Sequence, residues 1–473
     1  MRYFLYLLVG ILLSGCGHNF LNPQVRPDQL NFPPLEFSFP EVSQQQLSNG
    51  MKLYLREDHE LPLVELTLLV EGGSIYDPPG KIGLSQFFAK TLSMGGTETL
   101  SPVEFEAELE AMAAILTVSS SSYAYEIDLS LHKKDLERGL EILAELLRRP
   151  RFDAERMELV RSQMLESIHR KNDDPGSIAG RLLGAAVYQG HPFGAYPTAE
   201  IVAGFSRDDL FELHRRYFQP QNFWLAASGD VQQTDLVVLL EQNLGGWHST
   251  ESMLRELPLL PAAPAGRILL ADKKIPQTTI LMGHPGISKD NPDMFALQVA
   301  NYILGGGGFN SRMMQEVRSD RGLAYSVYSY FQIGRQLPEL FIAGSETKCG
   351  STVEVVSLMQ QLIRQMRDEP VSVAELDLAK KSLINSFVFA FSNSHSVVSR
   401  KVRLDYYNYP DNYLETYRQK IAAVTVAEVQ RVARQYLHPE KLQIVLVGDS
   451  QKYADEIRTL GLPVADIDLK PTQ

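Results

Sequence analysis

Hydrophobic residues follow two patterns along the chain, and each pattern predicts a different element. Short apolar runs are typical of buried strands, and apolar residues three and four positions apart are typical of helices. The first set of predicted elements comprises strands at 51–56, 63–70 and 223–227 and helices at 83–92, 138–149 and 154–170. The second set comprises strands at 267–271, 278–282 and 442–447 and helices at 294–304, 353–366 and 373–389. Because both sets run in the same order, the pattern indicates one architecture present twice.

An internal repeat with a constant offset supports this duplication. In both sets a helix leads to a proline-containing turn and then to a strand that ends in Gly-Asp. Four residues recur 219 positions later, namely Tyr217, Pro220, Gly229 and Asp230 as Tyr436, Pro439, Gly448 and Asp449. Such a long gapless offset is the signature of an internal repeat. The sequence therefore predicts an α+β fold of two homologous two-layer domains, each with a mixed β-sheet and helices on one face.

The repeat and the proline-rich stretches suggest five segments. We expect a lipoprotein signal peptide at 1–16, a tether at 17–40, an N-terminal domain at 41–255, a linker at 256–266 and a C-terminal domain at 267–473. The tether has no steady hydrophobic periodicity and contains several prolines, which favours a semi-extended conformation.

The N-terminus has the features of an export signal. Arg2 precedes an apolar run that ends at Leu13, which is shorter than the roughly 20 residues that a spanning helix needs. The following Leu13-Ser14-Gly15-Cys16 resembles the bacterial lipobox, which is cleaved before a cysteine that is then acylated. The resemblance implies lipidation of Cys16 and a lipid-anchored protein of the bacterial cell envelope that faces the periplasm. A buried N-terminal helix is the alternative.

Composition and charge narrow the class of protein. Of the 473 residues, 44% are hydrophobic and 22% are charged, as in ordinary soluble domains. The net charge of −12 argues against a general nucleic-acid binder, which usually presents a basic surface. The two cysteines, Cys16 and Cys349, exclude a disulfide scaffold. We expect Cys349 to be a small buried residue of the core.

Local motifs alone identify no catalytic site. The ten histidines include no pair at helical metal-binding spacing, and the chain has no Cys-x-x-Cys and no Gly-x-Ser-x-Gly. A Ser-His-Asp site assembled by the fold stays open. Gly305 to Gly308 lack the Lys-Ser/Thr of a phosphate loop, so a turn after a helix is favoured. The arginines and tyrosines from Arg312 to Tyr330 allow two interpretations, a solvated helix end before an amphipathic strand or a patch that binds anions or carbonyls.

Two long segments carry a family resemblance. The first, MKLYLREDHELPLVELTLLVEGGSIYDPPGKIGLSQFFAKTL, begins at Met51, and the second, LGGGGFNSRMMQEVRSDRGLAYSVYSYF, begins at Leu304. Both resemble insulinase-type peptidases, the family of pitrilysin and the mitochondrial processing peptidase. The resemblance extends from about residue 40 to residue 449, and duplication is also the architecture of that family.

The resemblance also shows where the family's zinc motif would lie in this chain, and the residues at that place do not match the motif. Its inverted His-x-x-Glu-His, with two zinc ligands and a glutamate that activates water, falls on residues 86–90. The ligand positions hold Gln86 and Lys90, the general-base position holds Ala89, and the third ligand position holds Ser167. The neighbouring Glu166 would point about 100° away on a helix. Amide, ammonium, methyl and hydroxyl groups are unfit for this site, so the resemblance implies no catalytic residue and no zinc in this chain.

The second half keeps a pair that the family uses on substrate. Arg318 and Tyr325 stand seven positions apart, as in the family, and both side chains can donate to a peptide carbonyl or an oxyanion. The resemblance implies the zinc-free subunit of a heteromeric metalloendopeptidase, which binds peptide substrate beside a zinc-bearing sister chain. The alternatives are a non-proteolytic scaffold or peptide-binding envelope lipoprotein, and an independently active peptidase, which would purify with zinc.

Overall fold

The computed structural model describes residues 38–248 and 256–469. The signal peptide, Cys16 and nearly all of the predicted tether lie outside these residues, so those expectations stay predictions. The described residues from Phe39 onward belong to one compact unit. Within the described ranges, no helix is both long enough and apolar enough to cross a membrane.

Fourteen strands are described, and they fall into two six-stranded sheets and one short ribbon. The first sheet contains β1 Ser43–Gln46, β2 Lys52–Glu57, β3 Leu63–Glu71, β4 Ile115–Ser120, β5 Ala124–His132 and β6 Phe223–Gly229. The remaining strands are β7 Arg267–Asp272, β8 Gln277–Pro285, β9 Ile287–Ser288, β10 Ala324–Phe331, β11 Ile333–Gly334, β12 Leu340–Lys348, β13 Gln443–Gly448 and β14 Val464–Ile467. β9 and β11 form the ribbon, and the others form the second sheet.

The two sheets share one topology. The first has the order β1-β2-β6-β3-β5-β4. The second, written from the corresponding edge, has the order β14-β7-β13-β8-β12-β10. In each, one early strand lies parallel to the last long strand of its half, β2 to β6 and β7 to β13, and the next neighbours, β3 and β8, are antiparallel to β6 and β13. The sheets differ at one edge, where β1 is antiparallel to β2 and β14 is parallel to β7. The predicted duplicated α+β fold is confirmed.

Helices surround both sheets. In the first half they are α1 Leu84–Met94, α2 Pro102–Ala111, α3 Leu136–Arg148, α4 Ala154–His169, α5 Pro175–Tyr188, α6 Ala199–Ala203, α7 Arg207–Tyr217 and α8 Gln233–Leu240. In the second they are α9 Met294–Asn301, α10 Thr352–Asp368, α11 Val373–Ser386, α12 Ser394–Tyr406, α13 Tyr413–Ala423, α14 Val426–Tyr436 and α15 Ala454–Ile457. Several begin with a capping box, for example Ser372 with Glu375 at α11, which satisfies otherwise unpaired backbone donors.

One face of each sheet carries the main core of its own half. In the first half, side chains such as Leu66 and Leu225 pack against buried residues of α1, α3 and α4. In the second half, Ile280 and Ile444 pack against α10 and α14 in the same way. Alternation along each strand puts these residues on one side of the pleat. The buried Cys349 belongs to the second core, as expected.

The opposite face of each sheet is covered by a helix from the other half. Helix α12 lies on the first sheet, where Val398 and Val402 pack with Trp224. Helix α5 lies on the second sheet, where Leu183 packs with Val445. These exchanged helices add a layer that the sequence did not predict, because an apolar outer face of a sheet does not reveal which segment will cover it.

A polar network fixes α12 on the first sheet. Asp405 accepts hydrogen bonds from Trp224 Nε1 at 3.2 Å and from Tyr54, and it forms a 3.2 Å ion pair with Lys52. On the same helix, Tyr406 bonds to Arg335, whose guanidinium also pairs with Glu71 at 2.9 Å. These bonds join segments far apart in sequence and so hold the two halves together.

Candidate functional site

The helix that contains the degenerate motif is held at its start by a buried carboxylate. Asp77 accepts hydrogen bonds from the backbone N–H groups of Gly83 and Ser85 at 2.8 and 2.9 Å, and from the Ser85 hydroxyl at 2.6 Å. Tyr125 donates to the same hydroxyl at 2.9 Å. Burial raises the pKa of Asp77 to about 6, against the hydrogen bonds from Ser85 and Gly83 that favour its charged form. The carboxylate complements the positive end of α1.

Helix α1 presents the motif positions to different surroundings. Gln86 is exposed and Lys90 is partly buried, and their spacing of four puts them on the same face of the helix. Ala89, at the general-base position, is buried with 2% of its surface accessible. On the inner face, Phe88 packs among aromatic rings, including those of Tyr125 and Phe218 at centroid distances of 5.1 and 5.2 Å. The helix is therefore a well-packed structural element.

The third ligand position lies on α4, which packs on the same core as α1. Ser167 is exposed, and so is the neighbouring Glu166. The carboxylate of Glu166 lies 3.9 Å from the guanidinium of Arg170, one turn along the helix. The ligand position itself therefore holds only a hydroxyl group, and the carboxylate beside it is one position away and close to a cation.

The donor set at these four positions does not fit a zinc ion. Zinc sites in proteins use thiolate, imidazole or carboxylate ligands, whereas these positions supply an amide, an ammonium, a methyl and a hydroxyl group. Within residues 38–248 and 256–469, no group of three or more His, Cys, Asp or Glu side chains is arranged to hold a metal ion. Both observations are compatible with a chain that carries no zinc.

The two residues of the second-half pair contact each other. Arg318 lies in a π-helical turn, Met314–Asp320, and Tyr325 lies at the start of β10. The Arg318 Nη1 atom donates a hydrogen bond to the carbonyl oxygen of Tyr325 at 2.8 Å. The guanidinium also lies 4.4 Å from the centroid of the Tyr325 ring. Backbone and ring together fix the direction of the arginine.

A third residue, Phe309, completes this cluster. Its ring centroid lies 4.6 Å from the Arg318 guanidinium, so the cation is within cation–π distance of two aromatic rings. Phe309 and Tyr325 remain 61% and 82% exposed. No carboxylate of the described residues lies within ion-pair distance of Arg318, whereas Arg321 pairs with Glu316 and Glu354. We call Phe309, Arg318 and Tyr325 the arginine cluster.

The local backbone explains why the arginine cluster is presented to solvent. Tyr325 lies at a register shift between Ala324 and Val327, where β10 departs from regular pairing with β12. Such bulges redirect side chains at sheet edges, and β10 is an edge strand of the second sheet. Of the glycines before Phe309, the first two end another π-helical turn, Tyr302–Gly306, and the next two lead into the 3-10 turn Gly308–Asn310. The expectation of a turn after a helix there is confirmed, with wider turns than an α-helix has.

The arrangement can bind a peptide carbonyl or an anion, but it supplies no general base or nucleophile. The guanidinium has N–H donors beyond the one bonded to Tyr325, and the phenol hydroxyl is an exposed donor. No hydrogen bond or ion pair joins the arginine cluster to the four motif positions among the described residues. Sequence reasoning missed Phe309 and Asp77. The only signal for Phe309 was its place directly after four glycines, and the only signal for Asp77 was its place before two prolines.

Comparison with known families agrees with these observations. Residues 52–197 match the model of the insulinase peptidases, family M16. Residues 204–383 match the model described as the peptidase M16 inactive domain. Together the two matches extend over most of the described chain.

Individual relatives agree with the family match. The chain is 26% identical to the non-peptidase homolog YmxG of Helicobacter pylori, over 84% of this chain and 91% of that protein. It is 28% identical to an uncharacterized zinc protease of Mycobacterium leprae, over 74% of this chain and 79% of that protein.

A crystal structure of a peptidase M16 inactive domain from Pseudomonas fluorescens superposes with a TM-score of 0.78 at 25% identity, covering 86% of this chain and 98% of that one. A protease structure from Helicobacter pylori has a TM-score of 0.76 at 18% identity, covering 87% of this chain and 100% of that one, and so shares the fold. The chain therefore belongs to the insulinase-type peptidase family, M16.

Proposed function

We propose that this chain is the zinc-free, substrate-binding subunit of a heteromeric metalloendopeptidase that acts on peptides in the bacterial cell envelope. A zinc-bearing insulinase-type sister chain supplies the metal and the general base. The arginine cluster of this chain supplies hydrogen-bond donors to the peptide in the sister chain's site. The observation that carries the proposal is the contrast between a motif with no zinc ligand and an intact pair in which a partly exposed Arg318 is oriented by an exposed Tyr325.

The chemistry of the pair suits this assisting role. Peptide hydrolysis develops negative charge on the carbonyl oxygen, and oriented donors that stabilise this charge lower the barrier. Because the rings of Phe309 and Tyr325 hold the guanidinium, little side-chain entropy is lost when substrate binds. A pure scaffold needs no such preorganised donor. The resemblance of Arg318 and Tyr325 to the pair that contacts substrate in the family also supports a role in substrate binding.

A reconstitution assay tests the proposal. The chain is purified from its own cells with its associated proteins, a co-purifying chain with an intact His-x-x-Glu-His is produced separately, and both are assayed on fluorogenic peptides. We expect no peptide cleavage by this chain alone. Adding this chain to the sister chain should strongly increase the rate of peptide cleavage. Arg318→Ala should reduce the stimulated rate by roughly ten- to a hundredfold.

Arg321→Ala is the matched control, since Arg321 is three residues away and is paired with Glu316 and Glu354. It should leave the stimulated rate unchanged. Equal rates with wild type and with Arg318→Ala would reject the assisting role. The absence of any insulinase-type partner and of any stimulation would favour a non-proteolytic, peptide-binding envelope lipoprotein.

The envelope location is tested separately. Lipidation at Cys16 predicts that the chain labels with palmitate and sediments with membranes, and that Cys16→Ser abolishes both. A wild-type chain that is unlabelled and stays in the soluble fraction would contradict the lipid anchor.

A further inference from the structure

An aromatic pocket in the second half shares no lining residue with the arginine cluster. It has a cavity volume of about 430 Å³, within the range of sites that bind small molecules. These lining residues belong to consecutive segments from the end of α11 to α13. Four tyrosines and a phenylalanine line it together with an arginine, namely Tyr407, Tyr409, Tyr413, Tyr417, Phe387 and Arg400. We call it the tyrosine pocket.

The walls of the tyrosine pocket are aromatic rings that already contact one another. The rings of Phe387 and Tyr417 are stacked, with their centroids 4.6 Å apart and an angle of 13° between their planes. The centroids of the Tyr409 and Tyr413 rings also lie 4.6 Å apart. Aromatic pairs contribute binding energy beyond the area that they bury. The walls therefore favour a ligand with an aromatic ring over one with an aliphatic chain.

The tyrosine pocket also offers donors to a negative charge. Arg400 is exposed, and no carboxylate of the described residues lies within ion-pair distance of its guanidinium. By contrast, Arg403, which also lines the pocket, is paired with Glu126. In the described part of the chain, the hydroxyl groups of Tyr407 and Tyr409 have no hydrogen-bond partner. The pocket therefore has one free cation and two free hydroxyl groups.

These hydroxyl groups stay protonated at physiological pH. Burial raises the pKa of Tyr417 to about 12, and it also raises the pKa of Tyr407 and of Tyr409. A neutral phenol donates a hydrogen bond to a carboxylate, whereas a phenolate has no proton to donate. Because Arg400 keeps its charge as well, cation and phenols together favour an anionic group in the pocket.

We propose that the tyrosine pocket binds a small aromatic carboxylic acid, with its ring against the tyrosines and its carboxylate paired with Arg400. An acid fits better than an amine, because the two charged residues that line the pocket, Arg400 and Arg403, are both cations. Binding at this pocket does not depend on the proposed peptidase role, since the pocket contains neither the arginine cluster nor the four motif positions.

Isothermal titration calorimetry of the purified protein tests the proposal. The probe is 1-naphthaleneacetate, and the neutral 1-naphthaleneacetamide is a control of nearly the same shape. We expect one site per chain and an affinity for the acid about tenfold higher than for the amide, because only the carboxylate forms charge-assisted hydrogen bonds. Octanoate has the same charge without a ring, and it should bind about fivefold more weakly than 1-naphthaleneacetate.

Two variants locate the site. Arg400→Gln should lower the affinity for 1-naphthaleneacetate about tenfold, whereas Arg364→Gln, at an exposed arginine of α10 outside the pocket, should leave it unchanged. Ser386 also lines the pocket, so Ser386→Trp should fill the cavity and abolish binding. Because Arg400 and Ser386 are exposed, both variants should keep the wild-type unfolding temperature.

Three kinds of result would overturn the proposal. The first is the absence of saturable binding of 1-naphthaleneacetate. The second is an amide or an octanoate that binds as tightly as the aromatic acid, since the charge or the ring would then play no part. The third is wild-type affinity in Arg400→Gln or in Ser386→Trp, which would place the bound acid outside the tyrosine pocket.

Discussion

The degenerate motif of the first half and the arginine cluster of the second half differ in packing and in how many of the family's functional residue types they retain. The motif keeps its helix, its buried aromatic face and the Asp77 carboxylate at the start of α1, but no residue that binds zinc. The arginine cluster keeps the hydrogen-bond donors of the family pair, Arg318 and Tyr325, on an irregular segment that is largely open to solvent. The first region therefore combines close packing with the loss of the family's ligand residues, and the second combines the family's donor residues with little packing.

This difference separates the requirements of folding from those of function. Phe88 and Asp77 hold α1 whether or not a metal binds, so core packing suffices to explain their presence. Arg318 contributes little to a hydrophobic core, and its place close to two exposed rings is not one that folding requires, as the proposed binding role would lead one to expect. A scaffold protein would have no need for this arrangement. The following predictions test the contrast, from the largest expected effect to the smallest.

Ala89→Glu should be the most disruptive change. It restores the residue type of the family's general base, but Ala89 is now buried, and an unpaired buried carboxylate costs several kcal/mol. We expect a loss of about 3–5 kcal/mol in the free energy of unfolding, measured in denaturant. Gln86→Glu on the exposed face is the control and should change stability by less than about 0.5 kcal/mol. A fully stable Ala89→Glu variant would show that the motif still has room for its base.

Asp77→Ala should destabilise the first half by about 2–3 kcal/mol, because it leaves the buried N–H groups of Gly83 and Ser85 without their acceptor. Chemical denaturation at pH 7 measures the loss. Glu98→Ala, at an exposed acid of the same half, is the control and should be nearly neutral. Equal stability of both variants would show that Asp77 does not hold α1.

Asp77 also predicts a pH dependence. Its pKa is raised to about 6 in the folded chain and is near 4 when the chain is unfolded. Between these values the folded state binds more protons than the unfolded state, so the contribution of Asp77 to stability falls as pH rises from about 4 to about 6. Asp77→Asn has no titrating group and should lack this component. Parallel stability curves of wild type and Asp77→Asn over this range would contradict the assignment.

Arg318→Lys should reduce the stimulated peptidase rate about fivefold, since an ammonium keeps the charge but cannot form the planar, ring-stacked arrangement. The assay is the reconstitution with the zinc-bearing sister chain. Arg321→Lys controls for loss of a guanidinium nearby. A lysine variant as active as wild type would show that charge alone suffices and that the ring contacts are incidental.

Phe309→Leu should have the smallest effect, a loss of about twofold in the stimulated rate. It removes one cation–π contact worth about 0.5–1 kcal/mol at an exposed site and leaves Tyr325 in place. The unfolding temperature should hardly change, because Phe309 is largely exposed. A loss larger than that of Arg318→Lys would indicate that Phe309 itself contacts the peptide.

Much of the fold could be predicted from the sequence, because its signals are local or repeated. Hydrophobic periodicity located the central strands and most long helices, and the 219-residue offset of Gly229 and Gly448 indicated two copies. In the structure, Gly229 has a positive φ of 121° and lies against the carbonyl of Leu63, where a Cβ would collide. Glycine is therefore required at the end of this first-half strand, which periodicity alone does not show.

Contacts distant in sequence could not be predicted. Helices α5 and α12 each cover the sheet of the other half. The sequence of a helix does not show which of the two sheets its apolar side will contact. Asp77 and Phe309 acquire their roles through Ser85 and Arg318, and composition does not show these contacts. For the motif positions and for Arg318 and Tyr325, the resemblance to a family supplied the candidates, and the structure supplied their surroundings.

The metal content of the purified chain tests the central claim most directly. The chain from residue 17 onward is saturated with zinc, dialysed against metal-free buffer and analysed by mass spectrometry for bound metal. A motif with packing but no ligands predicts far less than one zinc ion per chain. One zinc ion per chain, removed by a chelator and lost in a variant with Gln86→Ala and Ser167→Ala, would show that the first half still holds a metal and would contradict the account.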